Sequence, residues 1–264
     1  MRVLSVECKV EIAEQTHPSD TIAAGDFGVG RRVTFSDGVV VPAIDVSWEE
    51  KRKSFYQRRL ENKRKFSRNR RKVARKISKL DSRIANIRKD ETHKFTSGYI
   101  KNHALIVLGN LHIKSMTTSA AGTLEQAGRK VKQKSGLNRA ILRQGWGELG
   151  RQLEYKQSWA GGLVEYQSEA YSSQQCPACG YSSALNRKTQ EGFRCVWPTC
   201  DFSAHADEVA AQNQLRKFLS SDKGVALLAS GYRASVNSLP SGRSWDSTRK
   251  QEPIEEAARC AQPQ

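Results

Sequence analysis

No run of about 18 apolar residues occurs in the chain, which excludes a bilayer-spanning helix. The opening Met1-Arg2-Val3-Leu4-Ser5-Val6-Glu7 lacks the continuous apolar core of a signal peptide. A cytoplasmic location with no membrane partner is therefore expected. Acidic residues are in short supply: 27 Asp and Glu face 44 Lys and Arg, leaving a formal charge of +17. Cysteine is sparse too, at six residues, and in a cytoplasmic chain so few do not make a disulfide framework. From Trp48 to Lys94 there is neither proline nor glycine, so nothing in that stretch interrupts a helix.

What is present is unevenly spread. Between Lys51 and Lys94 stand 19 Lys and Arg against four Asp and Glu, so most of the net charge sits in one sixth of the 264 residues. A compact state with that much like charge repels itself unless a polyanion is near, and clustered cations are what phosphate binding needs. The bland alternative is a solvated basic face. Within the same stretch Val73, Ile77, Leu80, Ile84 and Ile87 recur at steps of four and three. That narrow seam suits an antiparallel helical partner, which the stretch with Phe55, Tyr56 and Leu60 can supply after a bend near Ser67-Arg68-Asn69. The outward cations Lys51, Arg52, Lys53, Arg58, Arg59, Lys63, Arg64, Arg68, Arg70, Arg71, Lys72 and Arg75 are the candidate nucleic-acid contacts. Phe55, Tyr56 and Phe66 lie among them; stacking on bases competes there with packing, which suits at least two of the three better.

The rest of the chain reads as α/β. Leu4, Val6, Cys8, Val10 and Ile12 alternate with polar residues, as in a half-buried strand. One strand cannot stand alone, so it either joins the next sheet or belongs to a sheet encoded upstream. Thr21 to Phe27, Arg32 to Phe35 and Val39 to Val41 form three short antiparallel strands, with Asp26 on the first and Ser36-Asp37-Gly38 as a hairpin signal. His103 to Leu108 is a buried central strand ending at Gly109-Asn110. Ser115 to Lys134 reads as a mobile loop, Asn138 to Lys156 as a helix weakened at Gly145, Gly147 and Gly150, and Gly162 to Tyr166 as a strand. A helix follows from Ala206 to about Leu219, and past Ser221 a disordered tail is expected.

The sharpest local pattern is Cys176-Pro177-Ala178-Cys179 followed by Cys195 and Cys200. Two and four intervening residues let each pair reach one tetrahedral ion at a Zn–S distance of about 2.3 Å. Four protein ligands close the site, so Zn²⁺ there is structural; a redox dithiol or a disulfide is the competing reading. Taken alone, Asp26 is an ordinary turn residue and Asp207 an ordinary helix-start acid.

The order of segments changes that. Gly25-Asp26-Phe27-Gly28-Val29 with Phe35-Ser36-Asp37-Gly38 resembles the first RuvC-like motif of the transposon-encoded TnpB (OrfB) proteins, compact relatives of the type V CRISPR effectors. The resemblance runs on through Gly136-Leu137-Asn138-Arg139 and Gln152-Leu153-Glu154-Tyr155-Lys156. It is strongest at Ser173 to Gly180, Phe193-Arg194-Cys195 and Ala206 to Asn213, and Lys250-Gln251-Glu252-Pro253 is similar to the family's tail. It implies an RNase H-like (RuvC) domain with an inserted basic helical hairpin and a zinc ribbon. The expected boundaries are a residual wedge-domain strand at 1–14, the RuvC-like domain at 20–172 with the hairpin at 48–94, the ribbon at 173–204, the last RuvC helix at 205–220 and the tail at 221–264. Family members bind guide RNA and cut double-stranded DNA with Mg²⁺ held by Asp, Glu and Asp; older usage calls them transposases.

Asp26 matches the first of those acids and Asp207 the third. The Glu belongs at the end of the central strand, where this chain has Gly109, and Asn110 would face the other side. The resemblance therefore implies guide-RNA and DNA binding, nucleoid association on DNA, and a nuclease site impaired by weak or absent Mg²⁺ binding. Two alternatives stand beside it. One is an active endonuclease in which Glu165 or Glu169 reaches the metal, with nothing in the spacing to favour either. The other is a decayed remnant truncated at its N-terminus, its strand at Leu4 to Ile12 lacking a sheet. Milder departures are the two extra residues in the second cysteine pair and the helix-weakening Gly147 and Gly150.

Overall fold

The computed structural model describes residues 16–123 and 125–236. The strand expected at Leu4 to Ile12, the family-like Lys250 to Pro253, and Cys8 and Cys260 lie outside the described residues. A sheet organises the remainder. Strand β1 (Thr21–Phe27) pairs antiparallel with β2 (Arg31–Phe35), which pairs antiparallel with β3 (Val40–Pro42). After helices α1 (Ser47–Glu61) and α2 (Arg68–Tyr99), the chain returns as β4 (Leu105–Gly109), parallel to β1. Every β4 residue is buried, as a central strand covered on both faces requires.

A short helix α3 (Ile113–Met116) leads to α4 (Val131–Gln144) and α5 (Trp146–Ala160), then to β5 (Leu163–Gln167), parallel to β4. The strand order is β3-β2-β1-β4-β5. A small antiparallel pair, β6 (Gly192–Arg194) and β7 (Ser203–His205), precedes α6 (Ala206–Leu219). On one face of the main sheet Ala23, Phe35, Ile106 and Leu108 pack with Tyr99 of α2 and Leu149 and Leu153 of α5. On the other, Ile22, Ala24, Leu105 and Val107 pack with Leu215 and Phe218 of α6. Each such aliphatic burial contributes roughly 1.5–3 kcal/mol, so the alternation along β1 and β4 fixes which residues face α6. Asp26 and Gly109 continue the α6-facing sets.

Helices α1 and α2 pack along each other. Ile84 is buried in the seam, and Val73, Ile77, Leu80 and Ile87 are partly buried. The buried Glu49 carboxylate accepts from Arg83 Nε at 2.9 Å, and Glu50 pairs with Arg88 at 3.6 Å. Ser67 caps α2 by accepting from the Arg70 amide at 3.1 Å.

Three segments differ from the sequence expectation. The single helix at 138–156 is two helices, broken at Gly145, whose φ of +63° is left-handed and favours glycine. Buried Arg32 fixes that break by donating to the Gln144 and Gly145 carbonyls at the end of α4, while Trp146 Nε1 donates to Arg32 O at 3.0 Å. The stretch expected as a loop from Ser115 to Lys134 already contains the end of α3 and the first turn of α4. The tail expected to be disordered from Ser221 instead forms α7 (Asp222–Ala229) and β8 (Arg233–Ala234), the latter parallel to β1. Ser221 caps α7, Leu227 and Tyr232 pack on the α6 side of the core, and Arg233 holds Asp20 through two hydrogen bonds of 2.9 and 2.8 Å. An eight-residue helix is too short to declare itself by periodicity.

Candidate catalytic cleft and metal-binding cysteines

The four cysteines gather as their spacing requires. In the first knuckle Cys176 N donates to Tyr181 O at 2.8 Å and Gly180 N to Cys176 O at 2.9 Å; in the second, Cys195 N donates to Phe202 O and Cys200 N to Trp197 O. All four Sγ atoms lie within 4.8 Å of one another. Cys179 and Cys195 are 3.6 Å apart, Cys176 and Cys200 3.8 Å. Arms of about 2.3 Å in a tetrahedron give edges of about 3.8 Å, whereas a disulfide needs about 2.05 Å. The four thiols could thus hold one metal ion. Burial pushes the Cys176 thiol up to about 12 and raises Cys195 as well, a penalty on these two thiolates that a bound cation would offset. Phe193, Ala206 and Val209 pack around the cluster, which joins it to the start of α6.

A second site lies at the carboxyl ends of the parallel strands, the usual position for ligands in open α/β sheets. Asp26 stands near the end of β1. Asp207 lies in the first turn of α6, where the His205 side chain accepts from its amide at 3.2 Å. Both line one cleft of about 520 Å³ with Glu169, Arg187, Arg31 and His205. Arg187 Nη2 is 3.7 Å from Asp207 Oδ1 and His205 Nδ1 is 3.9 Å from Asp207 Oδ2. The Asp26 carboxyl is held well above the usual range, by burial first, then by the charges of Glu169 and Asp207, with Arg187 opposing. Glu169 is pushed up to about 7 by burial. Its Oε1 is buried and accepts no hydrogen bond from the described residues. Burial and the neighbouring acids raise the cost of ionising Asp26, and burial that of Glu169, a cost a divalent cation would offset; among the described residues, only the four cysteines bring three or more ligand atoms within 4.8 Å of one another.

Two models of known protein families match this sequence. One, described as "Probable transposase" (OrfB_IS605), covers residues 5–120, and the other, "Cas12f1-like, TNB domain", covers residues 146–214. An Escherichia coli (strain K12) protein named "Putative RNA-guided DNA endonuclease InsQ" is 44% identical over 253 residues, 96% of this chain and 59% of its own length. The chain belongs to the TnpB (OrfB) family. A Streptomyces pristinaespiralis protein named "Putative RNA-guided DNA endonuclease" is 29% identical over 239 residues, 89% of this chain and 53% of its own. This TnpB-family chain thus spans between half and three-fifths of both relatives. A cryo-EM structure of a Cas12f1–sgRNA–target DNA complex covers 73% of this chain and 48% of that one, with 18% identity and a TM-score of 0.49.

The basic residues of this TnpB-family chain do not all stand free. Nine of the twelve are exposed: Lys51, Arg52, Arg58, Arg59, Arg64, Arg68, Arg71, Lys72 and Arg75. Lys53, Lys63 and Arg70 are partly buried. Arg70 Nη1 donates to Leu60 O at 2.8 Å and Lys63 O at 3.2 Å, so it caps the end of α1, and Lys53 pairs with Asp81. These two are committed to the helical pair. Arg52 and Arg59 lie 5.5 Å over the rings of Tyr56 and Phe55. Phe66, in the turn between the helices, is 87% exposed.

The residue that sequence reasoning left undecided is Glu169. The other candidate acid, Glu165, is paired with Lys223 on the surface. No spacing rule separates them. What does is the register of β5 on β4, which sets Gln167 opposite Gly109 and carries the next turn to the cleft.

Proposed function

We propose that this chain binds guide RNA and DNA and that its carboxylate cleft hydrolyses DNA with Mg²⁺, on an RNase H-like sheet beside a structural Zn²⁺ module. The observation that carries this reading is the meeting of Asp26, Glu169 and Asp207, from β1, the turn after β5 and α6, at one cleft. Mg²⁺ held there would activate a water and offset charge on the leaving oxygen. The chain's own residues do the rest. The registers of β1 and of β5 on β4 fix where Asp26 and Glu169 stand, and the α6 cap at His205 orients Asp207. Arg187, which partly neutralises Asp207, and Arg31 line the same cleft and are suited to hold a phosphate. The exposed cations of α1 and α2 supply affinity through phosphate contacts, and Phe66 offers a stacking face. Zn²⁺ in the four-thiol cluster would tie 173–204 to the start of α6. The impaired-site reading rests on Gly109 alone, which offers no ligand.

The test is guided cleavage by the full chain, with a matched and a mismatched DNA, in Mg²⁺ and in EDTA. Cutting of the matched DNA in Mg²⁺ only is the expected result. Guide-dependent DNA binding with no cutting at any Mg²⁺ concentration would return the impaired site to first place.

A further inference from the structure

We propose that Glu169 supplies the third metal-binding carboxylate of the cleft, in the space that the missing side chain of Gly109 leaves. The inference rests on the nuclease reading above and deepens it. A Cβ built on Gly109 would fall inside Glu169 Oε1, Cδ and Cγ, so the acid's head group occupies the volume that a residue at 109 would enter. That volume faces the right way. Gly25 pairs with Leu108 across β1 and β4, so the following residues, Asp26 and Gly109, lie side by side at the strand ends. Among charged groups, Glu169 acts on Asp26 more strongly than Asp207 does.

The backbone that carries Glu169 is held from α6. Lys217 Nζ donates to Ser168 O at 2.8 Å, and Asn213 Nδ2 donates to Ser172 O and Gln175 O, both at 2.7 Å. Ser172 N donates to Glu169 O at 3.1 Å and closes the turn. The carboxylate itself is left without a partner: Oε1 is buried and accepts no hydrogen bond from the described residues. A buried, unpartnered oxygen of this kind, on a residue that lines the cleft with two other acids, lacks a compensating charge that a cation would supply. Positions 109 and 169 are mutually exclusive by volume. The glycine is therefore a condition for this arrangement, because any side chain at 109 must displace Glu169.

The test uses the full chain and four forms: parent, Glu169→Gln, Gly109→Glu, and Gly109→Glu with Glu169→Ala. Mn²⁺ binding by calorimetry, thermal midpoint, guided DNA binding in EDTA and guided cleavage are measured on each. Glu169→Gln keeps the shape and should weaken Mn²⁺ binding about 10-fold or more and cleavage about 100-fold or more, with guided binding unchanged. Gly109→Glu should turn the Glu169 side chain out of the volume it fills, so that adding Glu169→Ala should cost no further Mn²⁺ affinity. The double variant should also return Mn²⁺ affinity and cleavage to within about 10-fold of the parent. Parent-like Mn²⁺ binding by Glu169→Gln overturns the assignment, as does Mn²⁺ binding by Gly109→Glu that still falls when Glu169→Ala is added. The two readings fail separately. A parent that cuts, with Mn²⁺ binding that ignores Glu169, removes Glu169 and leaves the nuclease. A parent that never cuts, with Mn²⁺ binding that needs Glu169, does the reverse.

Discussion

The cysteine cluster and the carboxylate cleft both gather acids of one kind, and they do so by opposite means. The cluster draws all its ligands from 25 consecutive residues, Cys176 to Cys200, through two knuckles closed by their own backbone hydrogen bonds. The cleft draws on Asp26, Glu169 and Asp207, which only the pairing of β1, β4 and β5 and the seating of α6 bring together. A knuckle cannot lend a ligand position to another segment, since each thiol's place is set by its neighbours in sequence. A cleft at strand ends can, because neighbouring strands deliver side chains to nearly the same point. Gly109 and Glu169 are that case.

The largest effect expected from this contrast is at the cleft. Asp207→Asn should lower guided cleavage by about 1,000-fold or more, with guided DNA binding and the metal content of the cysteine cluster unchanged. Zinc analysis beside the cleavage assay reads both. Loss of zinc in that variant would show that the sites are one unit and break the comparison. The converse change should not be so contained. Cys176→Ser should remove the cluster's metal and open 173–204 to proteolysis, and cleavage should fall by about 100-fold. Coupling runs in this direction because Ala206 and Val209, on either side of Asp207, are buried against Phe193 and the cysteines. Full activity in a zinc-free Cys176→Ser protein would show that α6 holds Asp207 without the cluster.

Local and distant construction also decide what the amino-acid order reveals. The cysteines declare themselves because ligand spacing is a property of the chain alone. The seam from Val73 to Ile87 does so because helical period is equally local, and the all-apolar Leu105 to Leu108 reads as a covered strand for the same reason. Asp26 and Asp207 are ordinary residues until the family's order of motifs singles them out. Glu169 cannot be told from Glu165 in the sequence, since its place follows from the β5 register and from hydrogen bonds made by Lys217 and Asn213, far along the chain. The break at Gly145 is only half legible: a glycine there weakens a helix by about 1 kcal/mol, but it takes Arg32, buried and distant, to hold the left-handed turn. Likewise Arg70 counts as a free cation until it is seen to cap α1.

A third region separates affinity from either site. Replacing exposed Arg71, Lys72 and Arg75 together with Ala should weaken guide-RNA binding about 10-fold at moderate salt and flatten the log–log salt dependence by about two. Metal binding at both sites should be unchanged, because these side chains point to solvent from α2. An unchanged salt slope would remove this face from the nucleic-acid contacts. Because Arg70 is spent as a cap, Arg70→Ala should act differently, lowering helical stability and leaving the slope nearly as it was.

The smallest effect expected is at the one side chain that belongs to both regions. Arg187 follows the 3₁₀ turn Ala184–Asn186 inside the cysteine module, and its guanidinium reaches out to Asp207 at 3.7 Å. It competes there with any cation for the carboxylates, since it is the group that favours ionised Asp26 against the repulsion of Glu169 and Asp207. Arg187→Ala should therefore tighten Mn²⁺ binding about threefold to tenfold, as expected for losing one cation a few ångströms away in a half-buried site. If Arg187 also holds the phosphate, the same variant should cut more slowly although its metal binds better. Tighter metal with slower cutting is a pairing that no general loosening of the fold produces. Weaker Mn²⁺ binding in Arg187→Ala would show instead that the guanidinium serves to position Asp207, and the module would then reach the cleft by orientation and not by charge.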